Sequence, residues 1–307
     1  MRGIGEDAAL VMAGGALAVT SIDAMVEGVH FRLGDGWATP AEVGHRALAG
    51  ALSDIAAMGA SPGEAFIALG LPDGFAERDA LALMSAADEL ACATGTAIAG
   101  GDVVAAPALI VTVSATGWIA SGGEVPVGRA GAVLGDLVGV TGVLGAARAA
   151  LEVMEGRAPR SAASEPALAL ARRPLPRLRE GRALAAAGAS AMIDLSDGLG
   201  GDAACIGRAS NAELRIQLER LPLAPGVAAV AEALGVPAEE LAAAGGEDYE
   251  LCFTIDPAKR EAAEAALAVA GAAPLSWIGE VSAGPAGATL LGSGGDVVRA
   301  EGFEHRW

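Results

Sequence analysis

Ser190-Ala191-Met192-Ile193-Asp194-Leu195-Ser196-Asp197-Gly198-Leu199 reads as a short apolar strand, a turn rich in carboxylates, and the start of a helix. The same unit recurs on both sides of it. Thr39-Pro40-Ala41-Glu42 offers an N-cap, a proline at the first helical position and a capping-box glutamate, so a helix is predicted from there to Met58, with Gly59 as its stop. Strands are predicted at 16–22, 65–71, 96–99 and 108–119, with a second helix at 77–94. Gly-rich residues 121–134 lack periodicity and mark a boundary. Beyond it, strands are predicted at 136–141, 190–193, 213–218, 249–254, 274–281 and 288–291. Helices are predicted at 144–155, 177–187, 199–209 and 227–244, with another after Asp256-Pro257, and 156–176 is read as an irregular surface excursion. The alternation predicts an α+β protein of two domains, each of layered α/β type, spanning 1–128 and 129–307.

The composition excludes several classes. Of 307 residues, 53% are hydrophobic, and acids outnumber bases 38 to 20, giving a net charge of −18. Such a surface repels nucleic acid and anionic membrane. The 44 glycines and 15 prolines are dispersed among apolar runs, which indicates a folded chain with many turns. Lys259 is the only lysine and no Gly-x-x-x-x-Gly-Lys-Ser/Thr is present, so there is no P-loop. Cys92, Cys205 and Cys252 are far apart and lack zinc spacing, which suggests reduced thiols in a cytoplasmic protein. The apolar run Ala8–Val19 is broken by Gly14-Gly15 and preceded by Glu6 and Asp7, unlike a signal-peptide core. The uncharged run Val103–Gly123 contains Pro107 and β-branched residues, and is read as buried strand, not a membrane span.

The chemistry lies in aspartates at element ends, beside glycine or a small hydroxyl residue. They occur in Gly5-Glu6-Asp7, Ser21-Ile22-Asp23, Leu52-Ser53-Asp54, Gly100-Gly101-Asp102, Asp194-Leu195-Ser196-Asp197-Gly198 and Gly245-Gly246-Glu247-Asp248. Any one of them can be a cap or a turn residue. Six together point to a crevice at strand ends, where gathered carboxylates need cations among them. Oxygen donors with almost no histidine suit Mg²⁺. A lysine-poor, aspartate-rich crevice can bind ATP if metal ions neutralise its phosphates. Gly100-Gly101 allows close backbone approach to a phosphate, and Arg129 is a candidate phosphate clamp.

In order along the chain, Ile4-Gly5-Glu6-Asp7-Ala8, Val26-Glu27-Gly28-Val29-His30-Phe31, Leu52-Ser53-Asp54-Ile55-Ala56-Ala57-Met58-Gly59-Ala60, Gly100-Gly101-Asp102, Ile193–Leu199 and Gly245-Gly246-Glu247-Asp248-Tyr249-Glu250-Leu251 resemble the thiamine-monophosphate kinases. These belong to the PurM-like, or aminoimidazole-ribonucleotide-synthetase-like, ATP-binding superfamily. The resemblance spans nearly the whole chain. It implies ATP-dependent phosphorylation of thiamine monophosphate, with ATP as co-substrate and several Mg²⁺ ions. It also implies a homodimer whose N-terminal sheets join in a β-barrel, followed by a C-terminal α/β sandwich domain.

By the same resemblance, Asp7, Ser21, Asp23, Asp54, Asp102, Asp194 and Asp197 serve the magnesium ions, with Asp54, Asp102 and Asp197 catalytic. Gly101, Asp102, Arg129 and Ser196 contact ATP, while His30, Glu247 and Phe303 contact the thiamine phosphate. Glu6 replaces the first aspartate of the family's Asp-Asp motif, and Ile22 stands where threonine is common. Two other readings remain open on these residues: a purine cyclo-ligase of the same superfamily, and an inactive Mg²⁺-binding paralogue.

Overall fold

The structure, a computed structural model, describes residues 5–120 and 125–298. The first half contains β1 (Ala9–Ala13), β2 (Ala16–Val26), α1 (Pro40–Ala57), β3 (Ser61–Leu71), α2 (Glu77–Thr94), β4 (Ala97–Ala105) and β5 (Ile110–Ile119). Its sheet has the order β1-β2-β5-β3-β4, antiparallel except for the β3–β4 pair that flanks α2. Gly14 and Gly15 both have positive φ and close a two-residue hairpin between β1 and β2. The apolar run at 8–19 is therefore a hairpin, and β2 extends beyond the predicted strand. The run at 103–123 is likewise divided, between the end of β4 and the whole of β5.

The second half contains β6 (Leu137–Thr141), α3 (Ala146–Met154), α4 (Glu165–Arg172), α5 (Leu178–Ala187), β7 (Ala191–Asp194), α6 (Leu199–Ser210) and β8 (Glu213–Gln217). It continues with α7 (Val227–Leu234), α8 (Ala238–Ala243), β9 (Leu251–Ile255), α9 (Arg260–Val269), β10 (Leu275–Ser282), β11 (Gly287–Leu291) and β12 (Val297–Val298). Its sheet has the order β12-β11-β8-β10-β6-β9-β7. Two expectations are corrected here. The supposed irregular excursion holds α4, started by Glu165-Pro166. The single helix expected at 227–244 is two, because Gly235 takes the left-handed conformation and Pro237 cannot continue a helix.

α1 is the element that joins the halves. Its capping box forms as predicted: the Thr39 hydroxyl accepts from the Glu42 amide, and Glu42 accepts from the Thr39 amide at 2.8 Å. Nearly every residue from Val43 to Ala57 is buried, so the helix is covered all round. It packs on α2, β2 and β5 of the first half and on α5 and β7 of the second. Glycines permit this crowding. A Cβ on Gly44 would run into the backbone carbonyl of Leu83 in α2, and one on Gly181 of α5 into that of Ala56. Asp54, near the C-terminal end of α1, is thereby held at the junction of the two sheets.

The loop 245–250, between α8 and β9, is anchored from below. The buried Asp248 carboxylate accepts from the amides of Gly145, at 2.6 Å, and Ala147, at 3.1 Å, at the start of α3. Buried Glu250 accepts from Arg177 and from the Thr141 hydroxyl. Burial pushes Asp248 up to about 7.

Two tests follow from this packing. Gly44→Ala must displace α2, and is expected to cost about 1–3 kcal/mol, seen as a lower melting temperature. Because Asp248 keeps its proton in the folded chain to a higher pH than when unfolded, its contribution to stability is largest at low pH. It falls as pH rises from about 4 to about 7. Melting in chelator-treated buffer at pH 5 and pH 7.5 should show a smaller difference for Asp248→Asn than for the unsubstituted chain.

Candidate active site

Three carboxylates from distant parts of the chain meet where the halves join. Asp7 comes from the turn before β1, Asp54 from α1 and Asp194 from the end of β7, and one oxygen of each lies within 4.8 Å of the others. Asp23 on β2 joins them as an electrostatic neighbour of Asp54. The Ser21 hydroxyl donates to Asp54. One oxygen of Asp7 accepts from Arg129 Nη2 at 2.6 Å and Nε at 3.0 Å. The other, Oδ2, is buried with no hydrogen-bond partner. Leaving such an oxygen dry and unpaired is costly.

Burial pushes Asp7 up to about 6 even with Arg129 opposing it. Burial also holds Asp54 and Asp194 well above the carboxylate range, and neighbouring charge adds to it: Asp23 and Asp7 around Asp54, Asp54 and Asp7 around Asp194. Burial raises Asp23 as well. A set of hard oxygens with excess negative charge and an orphaned lone pair fits a divalent cation such as Mg²⁺.

A cleft of about 600 Å³ opens beside this cluster. Asp23, Asp54, Asp194, Ser196 and Asp197 line one part of it, and His30 and Glu247 another. His30 Nδ1 accepts from the Val26 amide at 3.0 Å, leaving the proton on Nε2. The Arg46 guanidinium donates to Glu247 at 2.6 Å. Arg46, Gly50 and Asp54 are four residues apart on α1, so they form one row along it, about 12 Å from first to last.

The 195–198 turn and the 245–250 loop are zipped together. The amides of Glu247 and Tyr249 donate to the carbonyls of Ser196 and Leu195, and the Leu195 amide donates to Glu250. A Cβ on Gly246 would collide with the Ser196 carbonyl. Asp202, pushed up to about 7 by burial, accepts from the amides of Asp197 and Gly198 and fixes the turn from the other side.

Asp7, Ser21, Asp23, Asp54, Asp194, Ser196, Asp197, His30 and Glu247 are thus brought to one junction. Arg129 adjoins it, but its side chain is engaged by Asp7. Gly101 and Asp102 are not brought there. They lie within β4, an exposed edge strand, and not at a strand end as expected. Asp102 registers through Ala68 and Thr112 with Ala24, three strand spacings or about 14 Å away. Phe303 lies outside the described residues. Arg46 lines the cleft and carries no expectation from the sequence, although its spacing from Asp54 on a helix of legible bounds places both on one face.

The fold and the sequence have relatives among known proteins. Residues 5–119 match the family model of the AIR synthase related protein N-terminal domain. The thiamine-monophosphate kinase of Mycobacterium tuberculosis H37Rv is 38% identical over 93% of this chain and 80% of that protein. That of Escherichia coli K12 is 37% identical over 99% and 91%. A solved structure of AaThiL complexed with AMPPCP and TMP has a TM-score of 0.86 at 28% identity, covering 99% of this chain and 92% of that one. The Escherichia coli hydrogenase maturation protein HypE shares the fold, with a TM-score of 0.71 at 21% identity. With this degree of identity across almost its whole length, the chain belongs to the thiamine-monophosphate kinase family.

Proposed function

We propose that the chain transfers the γ-phosphoryl group of ATP to thiamine monophosphate, giving thiamine diphosphate and ADP. The observation that carries this reading is the buried Asp7–Asp54–Asp194 cluster, with its orphaned oxygen, at one end of a cleft whose other end holds Glu247. AaThiL, of the same fold, was solved with AMPPCP and TMP.

The acceptor is a phosphate monoester with a second pKa near ~6, so it is mostly a dianion at neutral pH and needs no dedicated base. The barrier is the approach of that dianion to the triphosphate. Asp7, Ser21, Asp23, Asp54, Asp194 and Asp197 hold Mg²⁺ in this reading. Bound Mg²⁺ supplies the positive charge that offsets the repulsion. Arg129 fixes Asp7, and Ser196 faces the nucleotide. Glu247 attracts the cationic thiazolium ring of the acceptor, with His30 beside it. The two ends of the row on α1 then hold donor and acceptor in line.

The parts fall into units of 1–128 and 129–307, and we place the protein in the cytoplasm. The three cysteines are free, and among the described residues no helix is long and apolar enough to cross a membrane. The active form is a homodimer in this proposal. The outer face of the first sheet exposes Ile22 and Phe66, and its edge strand β4 exposes Val103 and Val104, an apolar surface suited to a second copy. The partner's β4 then supplies Gly101 and Asp102 to the site.

Asp54→Asn is expected to lower ADP formation with thiamine monophosphate at least about 100-fold at saturating Mg²⁺. It should leave the metal-free melting temperature equal or higher, since a buried charge is removed. ADP release with formylglycinamidine ribonucleotide instead of thiamine monophosphate would replace this reading with the cyclo-ligase one. For the dimer, equal amounts of Asp54→Asn and Asp102→Asn chains, unfolded and refolded together, should regain about a quarter of full activity. Neither chain alone should be active. No recovery in a mixture that light scattering shows to be dimeric would place Asp102 in the same chain's site or in none.

A further inference from the structure

Tyr249 is the only tyrosine of the 307 residues. It is 7% exposed and lines the cleft. Its φ is +52°, and that of Glu247 is +61°; Asn211 is the one other non-glycine residue with positive φ among those described. An aromatic residue rarely holds this conformation, and such strain persists only where the surroundings impose it. Here the imposing contacts are those of its neighbours. Asp248 and Glu250 are anchored below the loop, while the Tyr249 and Glu247 amides are tied to the 195–196 backbone. The result aims alternate side chains, Glu247 and Tyr249, into the cleft.

The hydroxyl makes no hydrogen bond to any described residue. Its place is fixed by Gly50. A Cβ on that glycine would lie 3.3 Å from the Tyr249 hydroxyl and 3.3 Å from Asp23 Oδ2. The hydroxyl therefore stands over the middle of the row formed by Arg46, Gly50 and Asp54. It lies between the aspartate cluster at one end and the Arg46–Glu247 pair at the other. Burial, and the Glu247 carboxylate after it, hold the phenol well above its usual value, so it remains a donor. An O–H with no protein partner that opens on a cleft of carboxylates is suited to an anion that enters with its own counter-charge.

We propose that the Tyr249 hydroxyl donates a hydrogen bond to the phosphate group of the acceptor and holds it over Gly50, between the aspartate cluster and Glu247. This rests on the reading of the acceptor as thiamine monophosphate. Tyr249 is then a substrate-contacting residue and not merely a space-filling ring of the loop.

The test uses the full chain with 3-fluorotyrosine in place of tyrosine, which gives one fluorine resonance because the chain has one tyrosine. Titration with thiamine monophosphate should shift that resonance, and titration with thiamine, which has the ring but no phosphate, should not. No shift with saturating thiamine monophosphate, or equal shifts with both, overturns the proposal. In parallel, Tyr249→Phe removes the hydroxyl alone. It is expected to lower kcat/KM for thiamine monophosphate about 10- to 100-fold, with unchanged melting temperature and unchanged KM for ATP. Unaltered kinetics overturn the proposal. If the unsubstituted chain forms no thiamine diphosphate while thiamine monophosphate alone still shifts the resonance, the assigned reaction fails and the phosphate contact stands.

Discussion

Confinement of like charge organises this molecule. Asp7, Asp54 and Asp194 are held within a few ångströms of one another and away from water, an arrangement that opposes folding unless protons or cations accompany it. The rest of the structure reads as the means of enforcing it. α1 is buried on every side and carries Asp54 to the seam. β7 ends at that seam in Asp194, and Arg129 braces Asp7 from behind. Glycines at the helix contacts let α2 and α5 close on α1.

The acidic composition takes its meaning from this arrangement. With one lysine in the chain and most arginines engaged by neighbouring carboxylates, as Arg46 is by Glu247 and Arg177 by Glu250, side-chain cations alone leave phosphates poorly matched. Positive charge has to arrive with the ligands. The buried anchors Asp202 and Asp248 add nothing to that exchange. They spend their oxygens on backbone amides and fix the two loops that frame the cleft.

Much of this was legible in the sequence, where local chemistry decides local structure. Thr39, Pro40, Glu42 and Gly59 bound α1 to within a residue or two, and α2 was bounded as closely. Of the aspartates expected after apolar strands, Asp194 does end β7, whereas Asp23 lies inside β2, which runs on to Val26. What escaped depends on contacts between segments. Gly100-Gly101-Asp102 reads as a strand end, yet pairing with β3 draws it into the strand. Helix α4 lies in a stretch whose prolines and arginines suggested irregularity. The inward aim of Tyr249 rests on a left-handed backbone that no residue type advertises, and that exists because the anchors on either side leave no other path. Arg46 was within reach of helical periodicity, since Asp54 lies two turns further along a helix already recognised.

The row of Arg46, Gly50 and Asp54 on a single buried helix has a mechanical corollary. A helix packed against both halves and pinned by glycine contacts cannot shorten or bend to suit its cargo. The span between the two poles of the cleft is therefore a fixed gauge. Any adjustment that shuts out solvent, or lets a lengthened product leave, falls to the wall that the buried anchors do not include, the turn near His30.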